Sequence, residues 1–181
     1  MNVLLKTTLA LAVVGGLGAA QACSTAQWDT ATATAKSAVN GSTRYEGLCA
    51  LEAQQGQFAK KSGLSGSGDT YFRFYVFADT AQTGDVKIFS AESGGSEAAA
   101  LTLGSGNALK IGGKSTTLNA GEWSIVQLRV NGTDATVWVN DLTTAAITGA
   151  TVAGGNVDTV TLGGSATQAG NIYFDSFVVS N

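Results

Sequence analysis

The 181-residue chain contains no histidine. Histidine supplies the base of Ser-His-Asp triads, the commonest zinc ligand and the side chain that titrates near neutral pH. Its absence excludes histidine-based triads, histidine-ligated zinc and imidazole acid–base catalysis. The catalytic route that remains for such a chain is a pair of carboxylates of the glycosidase type.

Proline is also absent, and charged residues make up only 13% of the chain. The 24 glycines, with Asn and Asp, therefore have to form the turns. Ten Lys and Arg stand against 13 Asp and Glu, for a net charge of −3, and the basic residues are scattered. A nucleic-acid partner requires a clustered basic surface, so the composition excludes that class.

No apolar run is long enough to span a bilayer, which takes about 20 residues. Lys6, the apolar stretch 8–14 and the small residues that follow predict a signal peptide over residues 1–22. Cleavage is expected after Ala20-Gln21-Ala22, with Gly18-Ala19-Ala20 as a second site. A membrane anchor is the alternative to cleavage. The sequence predicts an exported protein, periplasmic or extracellular, without a membrane span.

Only two cysteines are present. In an exported chain they predict one disulfide between Cys23 and Cys49. Because Cys23 follows the predicted cleavage site, a lipidated Cys23 is the alternative. Ala20 and Gln21 speak against it, since lipoprotein signals usually carry Leu and a small residue at these positions.

Past about residue 45, short alternating stretches separated by glycine-containing turns predict strands. In 70–78, Phe72, Phe74 and Val76 fall on one face and polar and aromatic residues on the other, which indicates a central strand. Asn131-Gly132 predicts a turn. We expect ten to twelve strands in one all-β domain, a two-sheet antiparallel jelly-roll sandwich over residues 42–181, with a closed barrel as the alternative. Residues 23–41 are expected to be an N-terminal arm or an edge strand.

Six segments carry a resemblance to a known fold family. They are RYEGLCALE at 44–52, TYFRFYVF at 70–77, WSIVQLRVNG at 123–132, ATVWVN at 135–140, VDTVTLGG at 157–164 and IYFDSFVV at 172–179. The sequence resembles a concanavalin A-like, LamG-type jelly-roll domain of bacterial exported proteins. The resemblance implies two curved sheets, one able to bind glycans, with a structural calcium ion at the rim. It does not imply one activity, because lectins, adhesion modules, glucanases and lyases share this scaffold.

The resemblance also implies where calcium would bind. In related modules a carboxylate of the final strand joins an acid or carbonyls near the first strand, and the matching positions here are Asp175 and Glu46. Calcium takes oxygen ligands, which such loops supply. The alternative is that Asp175 faces solvent or accepts backbone hydrogen bonds from a neighbouring loop.

Acidic residues in a catalytic pattern are missing. The glucanases of this fold carry a Glu-x-Asp-x-x-Glu-like strand, which this sequence lacks. Glu92 and Glu97 come nearest, but we expect them in a solvated loop. The arginine- and histidine-containing strand signatures of alginate lyases are also absent. The sequence predicts a protein that is not an enzyme, and a polysaccharide hydrolase or lyase is the least favoured function.

Mixed aromatic and polar strand faces are typical of sugar-binding surfaces, where a ring stacks on the sugar and polar groups bind hydroxyls. The predicted ligand-binding residues are Tyr71, Arg73, Tyr75, Gln127, Arg129 and Trp138. For the tryptophans of this region, Trp123 and Trp138, core packing is the alternative. We expect a binding module for glycan or polysaccharide. A structural or adhesive surface subunit that binds protein or itself is the second hypothesis.

Overall fold

A computed structural model describes residues 24–37, 45, 47 and 49–181. These residues form two antiparallel sheets of seven strands each, which confirms the predicted all-β jelly-roll sandwich. A single 3-10 turn spans Ser105–Asn107. The strands are β1 Thr30–Ala31, β2 Thr34–Ser37, β3 Cys49–Ala53, β4 Phe58–Lys61, β5 Asp69–Ala78, β6 Val86–Ser93, β7 Ser96–Leu103, β8 Ala108–Ile111, β9 Lys114–Thr117, β10 Ser124–Asn131, β11 Asp134–Val139, β12 Ile147–Thr151, β13 Thr159–Gly163 and β14 Ile172–Ser180.

The two sheets are built from interleaved parts of the chain. Sheet A has the order β1-β4-β13-β6-β7-β8-β9, and sheet B has the order β12-β11-β10-β5-β14-β3-β2. The run from β6 to β9 is a meander of hairpins, as the glycine spacing predicts. Strand β5 lies between β10 and β14, so it is a central strand of sheet B.

The core lies between the sheets, and aromatic rings join them. Phe72 and Phe74 of β5 are fully buried and pack against Phe89 of β6, with ring centroids 5.1 and 5.7 Å apart. The alternate residues of β5 point away from the core because successive side chains of a strand alternate. This alternation leaves one face of each sheet outside the core.

The predicted turn at Asn131-Gly132 joins β10 to β11. Asn131 pairs with Asp134 across the hairpin, and Gly132 between them has a φ of +56°. Glycine populates this left-handed region without the steric cost that a Cβ brings. The turn fixes the register of β10 against β11, and therefore which of their side chains share a face.

Fourteen strands are present among the described residues, more than the ten to twelve expected. The additional strands are short and lie toward the sheet edges, where pairing to a neighbour orders residues of low strand propensity. Two of them come from the Thr/Ala-rich N-terminal segment: β1 is an edge strand of sheet A and β2 an edge strand of sheet B. Trp28 anchors this segment, because it is buried and its ring centroid lies 5.4 Å from that of Phe177.

Several predictions lie on residues that the structure does not describe. The signal peptide of residues 1–22, Cys23 of the proposed disulfide and Glu46 of the proposed calcium site all lie outside the described residues. The signal peptide, the disulfide and calcium therefore stay predictions. Within the described residues, no helix has the length and apolar character needed to cross a membrane.

Candidate functional site

The strand register of sheet B places all six predicted ligand-binding residues on one surface. Tyr71 pairs with Arg129 and Arg73 with Gln127 across β5 and β10, and Gln127 pairs with Trp138 of β11. Directly paired residues of an antiparallel sheet point to the same face. Tyr75 joins them because it lies two residues beyond Arg73 on β5. We call this surface, opposite the core, the outer face of sheet B.

One row of side chains crosses four neighbouring strands of this face. It runs from Trp138 through Gln127 and Arg73 to Val178 of β14. Strands lie about 4.8 Å apart, so the row is about 14 Å long. Trp138 is half-buried on this face rather than in the core, and Val178 is 43% exposed. The row offers an indole ring, an amide, a guanidinium and an exposed aliphatic group to a ligand.

The two predicted arginines differ in their partners. Arg129 is half-buried and holds Asp69 through three hydrogen bonds of 3.0 to 3.2 Å, which raise the pKa of its guanidinium. Arg73 is exposed and has neither an ion pair nor a hydrogen bond with the residues that the structure describes. The guanidinium of Arg129 is therefore engaged by Asp69, whereas Arg73 is exposed and has no such partner among the described residues.

Aromatic rings extend the face beside Tyr75. Tyr45 stacks on Tyr75 with centroids 3.5 Å apart and an interplanar angle of 14°, and it meets Trp123 edge-on at 6.3 Å. Trp123 packs in turn on a small cluster of Ala50, Phe77 and Tyr173 on the same sheet, outside the main core. Tyr45 is 48% exposed. The Tyr45 ring therefore covers Tyr75 and is the more exposed of the two rings.

The calcium prediction rests on Asp175, whose observed contacts are hydrogen bonds. One carboxylate oxygen accepts the Tyr45 backbone N–H at 2.8 Å, and the other accepts the Ser176 N–H at 2.7 Å. These are the backbone bonds expected under the alternative to calcium binding. Among the described residues no group of three or more His, Cys, Asp or Glu side chains is placed to hold a metal ion. Calcium also takes backbone carbonyls as ligands, and Glu46 lies outside the described residues, so the calcium site stays a prediction.

A buried carboxylate that the sequence analysis missed lies at one end of the same face. Glu52 is only 3% exposed and accepts hydrogen bonds from Tyr173 at 3.1 Å, Asn171 and Thr34 at 3.3 Å, and Lys36 at 3.4 Å. Burial raises the pKa of the Tyr173 hydroxyl; the Asn171 hydrogen bond opposes this, and Glu52 adds to it. Glu52 of β3 therefore bonds side chains of β2 and β14 and links the three strands.

The two acids nearest to a catalytic pair are placed differently from expectation. Glu92 belongs to β6 and Glu97 to β7, where they pair across the hairpin instead of lying in a solvated loop. The hairpin turn is shorter than expected because strand pairing continues to Ser93 and Ser96. Each acid has its own lysine: Lys60 lies 3.2 Å from Glu92, and Lys87 contacts Glu97.

Three clefts lie elsewhere in the part of the fold that the structure describes. One, of about 570 Å³, borders sheet A and is lined by Glu97, Thr102, Lys110 and Ser115 among others. A second, of about 450 Å³, lies by Trp28, Phe177 and Asp175, and a third, of about 430 Å³, lies by Trp28 and Lys61. None of the three is lined by any of the six predicted ligand-binding residues, which lie on the face of a sheet.

Solved structures with a similar fold have low sequence identity to this chain. The structure described as Cellulose induced protein, Cip1, has a TM-score of 0.66 at 12% identity, over 87% of this chain and 92% of that one. A Trypanosoma rangeli sialidase gives 0.58 at 15%, over 81% of this chain and 27% of that one. Another sialidase gives 0.56 at 12%, over 81% and 16%. The chain thus spans about a quarter or less of the sialidases. These likenesses support the β-sandwich fold.

No protein-family model and no curated protein sequence matches the chain. The LamG type of the fold therefore stays a prediction.

Proposed function

We propose that this chain is an exported, non-catalytic module that binds a glycan or polysaccharide through the outer face of sheet B. The observation that carries the proposal is the convergence of six dispersed residues on that one face through strand register. The two exposed large hydrophobic residues of the described chain, Tyr45 and Val178, lie on or over it. Exposed apolar groups beside unpaired polar ones are typical of binding surfaces.

The chemistry of the face suits a sugar. Aromatic rings stack on the apolar faces of sugar rings, and amide and guanidinium groups bind hydroxyls. Trp138, Gln127 and Arg73 provide these groups in one row on rigid strands, so binding orders few side chains. The names of the structural neighbours, a cellulose-induced protein and sialidases, belong to carbohydrate biology and agree with this proposal.

Absence of catalysis is part of the proposal. The nearest pair of acids, Glu92 and Glu97, lies on sheet A, with a lysine on each carboxylate. The buried Glu52 is enclosed by four donors of its own chain. The sialidase likeness covers at most about a quarter of those enzymes, so it carries no activity over to this chain.

The test is a screen of the mature protein against a panel of neutral and acidic polysaccharides by affinity electrophoresis and titration calorimetry. Trp138→Ala is expected to weaken binding at least tenfold, because it removes a stacking ring without affecting the core. Lys87→Ala, on sheet A, is the control and should bind as the wild type does. A wild-type protein that binds no polysaccharide would refute the proposal.

The second candidate is a structural or adhesive subunit. The exposed Tyr45 and Val178 favour it, because apolar residues on a face also suit a protein partner or a second copy. It predicts a dimer or larger assembly in light scattering that Val178→Asp disrupts, and no binding to polysaccharide. The glycan proposal predicts that light scattering gives the same oligomeric state for the unliganded wild type and for Val178→Asp.

Calcium would act here as a structural ion, and it is proposed with Asp175 and Glu46 as ligands. Chelation is then expected to lower the melting temperature of the wild type but not that of Asp175→Asn. Asp175→Asn keeps only one of the two acceptors for the Tyr45 and Ser176 N–H groups, so its own melting temperature without calcium is the baseline for the comparison. Equal melting temperatures of the wild type with calcium and with chelator would contradict the calcium proposal.

A further inference from the structure

Several charged groups on the outer face of sheet B have partners among the described residues. Arg129 pairs with Asp69, and Lys36 pairs with Glu52. Asp175 accepts two backbone N–H groups. Arg73 differs from these groups, because it has no acid and no acceptor among the described residues.

Among the described residues, those paired with Arg73 and those flanking it on β5 are uncharged. Gln127 faces it from β10 and Val178 from β14, and Tyr71 and Tyr75 flank it on its own strand. The charged groups of the face stand one row further out, with Arg129 opposite Tyr71 and Asp175 opposite Tyr75. A guanidinium on a central strand, without an acceptor among the described residues, has its donors available to an anion.

The physical chemistry of arginine favours an anionic occupant over a neutral one. The guanidinium presents five donors in a fixed planar fork that matches the two oxygens of a carboxylate or sulfate. Charge-assisted hydrogen bonds of this kind are about twice as strong as neutral ones. A neutral sugar covering Arg73 would strip water from a charge and return only hydroxyl acceptors.

We infer that the ligand of this face is an anionic glycan whose carboxylate or sulfate group binds the Arg73 guanidinium, while its ring contacts the Gln127 and Trp138 side of the row. The inference rests on the proposed glycan-binding function and specifies its substrate class. The other pairs of the face would keep their intrachain partners, so Arg73 alone provides the preference for negative charge. The protein's net charge of −3 makes this preference a property of the site, not of the whole molecule.

The experiment uses ligands matched in backbone and different in charge. Polygalacturonate and hyaluronan are each compared with their carboxyl-reduced forms, and dextran sulfate with dextran, by titration calorimetry against the mature protein. The first two pairs report a carboxylate and the third a sulfate ester. We expect at least one anionic member to bind tenfold or more tightly than its neutral partner, with an affinity that falls as salt is raised.

Arg73→Gln and Arg73→Lys test the assigned residue. Arg73→Gln should abolish the difference between charged and neutral partners, and Arg73→Lys should retain part of it, because lysine keeps the charge and loses the planar fork. Lys87→Gln makes the same charge change on sheet A and should leave the difference intact. Because Arg73 is exposed, we expect its variants to have the melting temperature of the wild type. Equal melting temperatures will show that folding is unaffected.

The outcomes separate the two proposals. Wild-type binding that is equal for charged and neutral partners, or a charge preference that survives in Arg73→Gln, would overturn the anionic inference and leave glycan binding standing. No binding to any polysaccharide, charged or neutral, would overturn glycan binding itself.

Discussion

The outer faces of the two sheets carry different chemistry on the same scaffold. On sheet A, small residues such as Ser90, Ala100 and Thr161 form a row, and the lysines of this face pair with acids. These pairs are Lys60–Glu92, Lys87–Glu97 and Lys110–Asp85. On sheet B the equivalent row holds Trp138, Gln127, Arg73 and Val178. The first face carries these ion pairs, and the second exposes aromatic rings and Arg73, which has no partner among the described residues.

The comparison separates folding from function. Both sheets use the same alternation to bury their inner residues, so the core places no demand on the outward positions. The outward lysines Lys60, Lys87 and Lys110 of sheet A each pair with an acid of the chain. Under the proposed function, the outward groups of sheet B bind a ligand instead.

Substitutions in the core should have the largest effect on stability, and they should affect both faces equally. Phe74→Ala removes a fully buried ring that contacts Phe89 and Phe174 across and within the sheets. We expect a loss of about 3–5 kcal/mol in the free energy of unfolding, measured by denaturant titration. Phe74→Leu should lose less because it fills more of the space. A loss below about 1 kcal/mol for the alanine variant would contradict this account of the core.

Matched acid substitutions should show that the two faces use carboxylates differently. Glu52→Gln on sheet B puts an amide donor against the Lys36 and Thr34 donors in a buried site, and we expect a loss of about 1–3 kcal/mol. Glu97→Gln on sheet A breaks an exposed pair and should lose at most about 1 kcal/mol. Thermal and chemical unfolding of the two variants measure the contrast. Equal losses would show that burial of Glu52 is not what matters.

Alkaline pH should destabilise the sheet B side through Tyr173. Burial raises its pKa above 10.0, so its neutral form is favoured by folding. The resulting stability is present below pH 10 and is lost as pH rises through the folded pKa. The wild type should therefore lose melting temperature above pH 10 more steeply than Tyr173→Phe does. Parallel curves for the two proteins would contradict the assignment.

The smallest expected effect lies in the loop between β11 and β12. Hydrogen bonds from the Thr143 side chain and backbone lower the pKa of Asp141 to about 2. A lowered pKa gives stability above the unfolded value of 3.8 that is lost as pH falls toward 2. Asp141→Asn should slightly reduce the fall in melting temperature over this acid range. Asp85→Asn, on the sheet A side, is the comparison variant. An unchanged profile in Asp141→Asn would assign the acid sensitivity to other groups.

Local patterns in the sequence predicted the fold class and several faces. The alternation in 70–78 and 124–130 correctly predicts which side chains point into the core. Asn131-Gly132 predicts the hairpin that aligns β10 with β11. These features depend on neighbours in the chain, which the sequence displays directly. The six predicted ligand-binding residues occupy outward positions of such strands.

Long-range partners were not predictable in the same way. Glu52 is one acid in an apolar stretch, and its partner Tyr173 lies 121 residues away. The pairing of Arg129 with Asp69 spans 60 residues, so nothing local distinguishes Arg129 from the unpaired Arg73. The short strands β1 and β2 have weak strand propensity and are ordered by the neighbours they pair with. Strand order decides these contacts, and a single sequence does not contain it.

The central claim is that the outer face of sheet B is the binding surface, and backbone-amide NMR tests it most directly. Isotope-labelled mature protein is titrated with the tightest-binding oligosaccharide from the polysaccharide screen. The account predicts that signals around Arg73, Gln127 and the Trp138 indole N–H shift or broaden, while those around Thr102 and Lys110 of sheet A do not. Shifts confined to the sheet A cleft would contradict it.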